Sequence, residues 1–155
     1  MSLSNEEEII VQHLLIEDEG LRQFPYLDCC GKSWRKCSCK DKGKLTIGIG
    51  RNLEDVGISE SEALELQLND VNQMTALVER SFPWFSKLNT PRRVVIVSMA
   101  FNLGLEGLKG FEKMIKCIAS GDYPSASKEM INSTWSSQVN NRAMRLALIM
   151  KTGQF

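Results

Sequence analysis

From Leu21 to Arg51 the chain loses the helical period that governs the sequence on both sides of it. Within that stretch, glycines at 31, 43, 48 and 50 flank the alternating run Leu45-Thr46-Ile47-Gly48-Ile49, the pattern of a small sheet or hairpin. Before it, Ser4-x-x-Glu7 is a capping box opening a helix that carries Ile9, Ile10, His13 and Leu14 on one face and stops near Glu19, with Gly20 just beyond. After it, Ser59-x-x-Glu62 opens a long helix in which Leu64, Leu68, Val71 and Leu77 or Val78 recur near every 3.6 residues until Pro83. The remainder reads almost wholly helical. Thr90 is the expected N-cap before Pro91, and Val94 to Leu103 is apolar on every face, as for a central buried helix. Further helices are expected over about 108–119, 124–131 and 139–150, closed by Gly121 and Gly153 where glycines follow. One irregular segment among helices predicts a mostly helical α+β fold. It has a small β-containing lobe over about 13–60, a connecting helix over about 60–80 and a larger helical lobe over about 80–155, within one domain spanning 1–155.

A chain of 155 residues with 43% hydrophobic and 25% charged residues can bury one core and is unlike disordered, collagenous or disulfide-scaffold sequences. No apolar run approaches the roughly 18 residues that cross a bilayer, and the acidic start Met1 to Glu8 is the reverse of a signal peptide's basic end. A monomer, neither membrane-spanning nor exported by its own signal, is expected. The zero net charge conceals blocks of −6 over 1–28, +6 over 29–51, −7 over 52–79 and +7 over 80–155. With no net positive domain and no recognisable module, nucleic acid is not an expected partner.

Two carboxylates draw attention. Glu19 sits at the carboxyl end of the first helix, where the helix dipole disfavours a further negative charge and so favours a proton donor. Asp28 follows nine residues later, beyond a turn carrying Pro25 and Tyr26, and a chain reversal there can set the two across one cleft for acid/base work. Most carboxylates are solvated surface charges, so the pair alone decides nothing.

The sequence Glu19-Gly20-Leu21-Arg22, then Tyr26-Leu27-Asp28, then Leu45-Thr46-Ile47-Gly48-Ile49-Gly50 resembles the active-site signature of bacteriophage T4-type lysozymes, the endolysins of glycoside hydrolase family 24. Pro91-Arg92-Arg93, Phe101-Asn102-Leu103-Gly104, Gly110-Phe111, Trp135 and Asn141-Arg142-Ala143 follow in the family's order, so the likeness runs from about residue 9 to 153. It implies a lysozyme-like fold and a muramidase that cleaves the β-1,4 bond between N-acetylmuramic acid and N-acetylglucosamine in bacterial peptidoglycan. Glu19, Asp28 and Thr46 match the family's catalytic glutamate, aspartate and threonine. Glu19 would protonate the leaving oxygen; Asp28 would activate water and stabilise positive charge; the Thr46 hydroxyl would help hold that water, usually with inversion. Phe101, Asn102 and Gly104 match the segment that lines the substrate cleft, Arg142 an arginine that pairs with the catalytic glutamate, and Trp135 a core tryptophan. No cofactor is implied for catalysis. The resemblance further implies a phage or prophage lysis protein made in the host cytoplasm and released to the periplasm and wall through a holin pore, with the holin only an indirect partner.

Two departures from the family stand out. Arg51 occupies the place of a common histidine, and Asp70 matches the aspartate that pairs with it, so the expectation is either an Arg51–Asp70 ion pair, one without a histidine's titration near neutral pH, or an unpaired surface Arg51. His13 is read as a packed or partly exposed helix residue, not a catalyst. The second departure is an insertion between Asp28 and Thr46 that carries Cys29, Cys30, Cys37 and Cys39, while Cys117 stands apart in an apolar helical pattern. Four thiols can form a structural zinc site, though Cys-Cys-x6-Cys-x-Cys is no common zinc spacing; two disulfides or free thiols are the alternatives. Lys32, Arg35, Lys36, Lys40, Lys42 and Lys44 surround Trp34 there, a tract suited to anionic wall polymers or to solvent. Three other functions stay open on sequence alone: a lytic transglycosylase, disfavoured by the presence of Asp28 and Thr46; a catalytically silent wall-binding module; and a metal-braced interaction module.

Overall fold

The computed structural model describes residues 4–155. It is 64% helical, with seven α-helices and one three-stranded antiparallel sheet, the mostly helical α+β architecture expected. The chain divides between Ala63 and Leu64 into two compact units.

The first unit opens with α1 (Asn5–Glu19), and its capping box forms as expected: the Glu7 backbone N–H donates to Ser4 Oγ, and the Ser4 N–H donates to the Glu7 carboxylate at 2.7 Å. Gly20, at φ 71°, closes it. Strand β1 (Arg22–Leu27) pairs with β2 (Leu45–Gly48), which pairs with β3 (Arg51–Asn52). The β1–β2 register is irregular between Arg22 and Tyr26, where Pro25 has no N–H to donate to a ladder. Beyond the break Tyr26 faces Thr46 and Leu27 faces Leu45, and across the hairpin Thr46 faces Asn52. Among the described residues of this unit only Leu27 and Thr46 are buried. Its shape therefore rests on hydrogen bonds and tight turns far more than on apolar burial.

Helix α2 (Glu60–Ser81) begins with a second capping box: the Ser59 N–H donates to Glu62 at 2.7 Å and the Glu62 N–H donates to Ser59 Oγ. The second unit holds the core. Val78 of α2, Val95, Ile96 and Met99 of α3 (Thr90–Lys109), Met114 of α4 (Glu112–Ala119) and Met150 of α7 (Asn141–Thr152) are all fully buried. The run expected to be buried on every face is buried on one: Val95, Ile96, Met99 and Ala100 are in the core, whereas Val94 and Phe101 are each 44% exposed. Gly104, at φ 73° and ψ 164°, breaks α3, a backbone state that side-chain-bearing residues rarely adopt. The N-cap of α3 is Asn89, not Thr90: the Asn89 side chain accepts the Arg92 N–H and its amide donates to Gly153 O at 2.9 Å, so it ties the helix start to the chain end. The helix expected over 108–119 is interrupted at 110–111, and α5 (Tyr123–Ile131) follows as expected. A short helix missed by periodicity, α6 (Thr134–Val139), is capped by Ser133 and buries Trp135. No single helix among the described residues is long and apolar enough to cross a membrane.

Candidate active site

The three residues matched to catalysis all belong to the first unit: Thr46 lies in β2, Asp28 bonds the residue just before β2, and Glu19 lies near the turn between β2 and β3. Thr46 lies within β2, 4% exposed, and its hydroxyl donates to the Lys44 carbonyl at 3.1 Å. Asp28 follows β1 directly. Its backbone N–H donates to Lys44 O at 3.1 Å, and the Lys44 N–H returns a bond to Asp28 Oδ1 at 2.8 Å. The Lys44 backbone therefore bonds both Asp28 and Thr46, and one carboxylate oxygen of Asp28 remains outside this exchange. Glu19, the last residue of α1, reaches the hairpin tip: a Cβ at Gly50 would lie 3.3 Å from Glu19 Oε2. Gly50 has φ 69°, so both its conformation and its proximity to the carboxylate call for glycine.

Gly43 plays the same part for Asp28. A Cβ there would run into Asp28 Oδ1 and lie 2.7 Å from the Cys29 backbone nitrogen. Sequence reading placed Gly43 among the turn glycines and missed this contact, although an isolated glycine beside a strand is a signal of close approach. Lys44 was read as one more basic residue. Its ammonium is anchored on Asp55 at 2.9 Å and Glu54 at 3.7 Å, which holds it above the usual lysine range and Asp55 below the usual carboxylate range. Asp55 is itself held by Asn52 Nδ2 at 2.8 Å, so the acidic turn after β3 clamps the residue whose peptide orients Asp28.

Arg51 is not paired as expected. Glu62 takes both guanidinium nitrogens at 3.1 Å, and Arg51 Nε donates to Gly57 O at 2.8 Å. The Glu62 carboxylate, already turned back by the capping box, lies within reach; the Ser59 amide and hydroxyl, with a smaller contribution from Arg51, hold its pKa down.

In the second unit, Phe101, Asn102 and Arg142 line one groove of about 720 Å³ with Gln67, Thr75 and Ser98. The last three were not anticipated. Gly104 does not line this groove; it lies at the break in α3. Trp135 Nε1 donates to Asn102 Oδ1 at 2.9 Å, which spends the amide's acceptor and leaves its NH2 to serve as a donor toward the groove. Arg142 donates to Ser98 Oγ at 3.0 Å.

The four cysteines of the insertion converge, with all four sulfurs within 4.8 Å of one another, a set that can hold a metal ion. The Cys39 backbone amide holds Cys37 down to about 7, and its bond to Cys29 pushes Cys39 up to about 12, as thiols sharing protons titrate in turn. Cys117 lies apart and packs against the core of the second unit.

The phage lysozyme family matches residues 17–149. The chain belongs to the phage lysozyme family. Among its relatives, probable T4-type lysozyme 1 of Dictyostelium discoideum is 33% identical over 62% of this chain and 58% of its own length. Probable T4-type lysozyme 2 of the same organism is 26% identical over 64% of this chain and 59% of its own. The pre-baseplate central spike protein Gp5 of Enterobacteria phage T4 is 27% identical over 90% of this chain and 27% of its own length. The chain thus spans between about a quarter and three fifths of the curated relatives it matches.

Proposed function

We propose that this chain is a lysozyme that hydrolyses the β-1,4 bond between N-acetylmuramic acid and N-acetylglucosamine in bacterial peptidoglycan. The observation that carries this reading is a juxtaposition at one small sheet: Asp28 and Thr46 both bond the Lys44 backbone, and the Glu19 carboxylate lies near Gly50 in the turn after β2. Cleaving an acetal needs a proton for the leaving oxygen, a negative charge beside the oxocarbenium-like centre and a placed water. Glu19 supplies the proton. Asp28 keeps one oxygen on the Lys44 N–H and offers the other to the water as general base. Thr46 has given its own hydrogen to Lys44 O, so it holds water only by accepting. This division of labour corresponds to the inverting mechanism, and no cofactor takes part. Phe101 and the Asn102 NH2 serve as an apolar surface and a donor for sugar. The thiols of the insertion supply no step of the hydrolysis.

In this reading the enzyme is a phage or prophage product, made in the host cytoplasm and passed to the periplasm and wall through a holin pore, and it ends infection by lysing the host. The match of 90% of the chain to a quarter of a baseplate spike protein favours a second setting, the same catalytic unit inside a larger particle component. Co-expression with a holin separates them: lysis that requires the holin supports the first.

The chemistry is tested on purified peptidoglycan with Glu19→Gln. Reducing N-acetylmuramic acid ends should fall at least ~100-fold without loss of the folded state. Anhydro ends would assign a transglycosylase instead, and binding without release of any fragment would leave a silent wall-binding module.

A further inference from the structure

The insertion from Cys29 to Lys44 has sixteen residues and none of them is buried; Trp34, its one aromatic, is 57% exposed. A loop of this length without its own apolar anchor is uncommon in a folded protein. Its beginning is tightly turned. The Cys30 and Gly31 amides both donate to Leu27 O, the Leu27 amide donates to Lys32 O, and Arg22 Nη1 caps Gly31 O at 2.8 Å. A 3-10 turn at Trp34–Lys36 then returns the chain so that Cys37 and Cys39 meet Cys29 and Cys30.

We propose that Cys29, Cys30, Cys37 and Cys39 form a structural zinc site whose ion braces this loop and thereby positions Asp28. Four thiolates at about 2.3 Å from one Zn²⁺ stand about 3.8 Å apart along the edges of a tetrahedron. The Cys29 and Cys37 sulfurs are 3.7 Å apart, and all four are mutually within 4.8 Å. Paired disulfides would give each sulfur one bonded neighbour; here each has three at similar range. A zinc tetrathiolate carries a net −2, and the loop supplies Lys32, Arg35, Lys36, Lys40, Lys42 and Lys44 against Asp41 alone. That surplus offsets the charge of the site, so the basic tract has a local reason to exist.

The link to Asp28 is covalent and short. Cys29 is its immediate neighbour, and the far end of the loop, Gly43-Lys44, presses on the Asp28 carboxylate and donates to it. An ion joining Cys29 to Cys37 and Cys39 fixes both ends of that contact. The metal site stands on the thiol geometry alone; its effect on turnover rests on the lysozyme reading.

The test uses the full chain, reduced and supplied with zinc alone. One zinc per chain is expected, and cobalt in its place should give the intense sulfur-to-cobalt band and visible absorption of a tetrahedral four-thiolate site. Cys37→Ser and Cys39→Ser should each weaken metal binding by ~10-fold or more, and Cys117→Ser should leave it unchanged. A reduced chain that takes up no metal, or an active chain whose mass shows two disulfides, overturns the site; the cobalt spectrum of the unaltered chain decides even where a variant fails to fold. For positioning, metal removal should speed hydrogen exchange at the Lys44 amide by ~10-fold or more while amides of α3 and α7 keep theirs, and should lower kcat ~10- to 100-fold with KM within about twofold, restored by zinc. Stoichiometric zinc with an unaltered Lys44 amide overturns the positioning role. A zinc-loaded chain that releases nothing from peptidoglycan overturns the lysozyme reading and leaves the metal site standing.

Discussion

Three glycines, Gly43, Gly48 and Gly50, separate backbone freedom from spatial closeness to Asp28 and Glu19, and alanine at each should fail differently. Gly48 has φ 67° and nothing within 4 Å of an added Cβ. Its alanine variant meets only the left-handed strain, about 1–2 kcal/mol, partly offset by about 0.4–1 kcal/mol from a stiffer unfolded chain. The expected result is a melting temperature lower by about 2–4 °C and a kcat within about threefold of the unaltered chain, since less than ~0.7 kcal/mol reaches the barrier. Gly43 has no left-handed requirement, but its Cβ would strike Asp28 Oδ1 and the Cys29 backbone. The simplest relief swings the carboxylate away from the Lys44 N–H. That gives up a charge-assisted bond of about 1.5–3 kcal/mol and displaces the base by the order of 1 Å, which costs ~100-fold in turnover. Gly50→Ala combines both effects, with φ 69° and a 3.3 Å approach to Glu19 Oε2. Reducing-end release from peptidoglycan gives kcat, and thermal unfolding gives stability. Gly43→Ala with full kcat, or Gly48→Ala as inactive as Gly43→Ala, would refute the claim that proximity to Asp28 is what this loop controls.

Other expectations are more local. Trp135→Phe deletes the donor to Asn102 Oδ1 at a residue only 2% exposed, so it should cost about 1–3 kcal/mol in chemical denaturation, with the same bond's loss visible in the Asn102 side-chain amide resonances. Glu62 titrates below the usual carboxylate value because Ser59, and secondarily Arg51, favour its charged form. With a depressed folded pKa, its stabilisation is fully present above the ordinary value of 4.5 and disappears as pH falls through the lowered one. The stability difference between the unaltered chain and Glu62→Gln should therefore be flat from pH 6 to 9 and vanish in acid; a difference that decays near neutrality would contradict the Arg51 pairing. Arg51→Ala should cost under ~1 kcal/mol in the same assay, as the pair is partly solvent-exposed.

Much of this was legible in the sequence because it is governed by local rules. The capping boxes at Ser4 and Ser59 and the glycine stop at Gly20 follow from spacing alone. What escaped has a common physical origin, competition between equivalent partners. Asn89 and Thr90 are both good caps, and Asn89 prevails because its amide also reaches Gly153 O. Glu62 and Asp70 are both acids downstream of Arg51, and Glu62 is the one its capping box turns into place. α6 is too short for periodicity to reveal, and Ser133 alone announces it. The matched catalytic residues were visible only through their order along the chain; Gly43 gave the one hint of close approach, but its partner and that of Lys44 become evident only when strand register brings residue 44 back beside residue 28.

That register also decides what Thr46 does. Were its hydroxyl chiefly a water ligand, removing it would disturb the water and leave the protein framework untouched. Its hydrogen, however, goes to Lys44 O, and the N–H of the same residue goes to Asp28 Oδ1. Lys44 O is also the acceptor of the Asp28 N–H, so Thr46 helps fix the backbone to which Asp28 is bonded as well as holding water. Thr46→Val keeps the shape and the β-branch. Lys44 O still accepts the Asp28 amide at 3.1 Å, so no buried acceptor is orphaned and the stability cost should stay near about 0.5–1.5 kcal/mol. Turnover should nevertheless fall ~10- to 100-fold, because the water loses an acceptor and Asp28 loses part of its support. Thr46→Ser restores the hydroxyl without the methyl and should recover most of kcat with a stability no better than valine's. If valine is as active as the unaltered chain, Thr46 is only a strand residue, and the hairpin's contribution to catalysis reduces to Asp28 and Glu19.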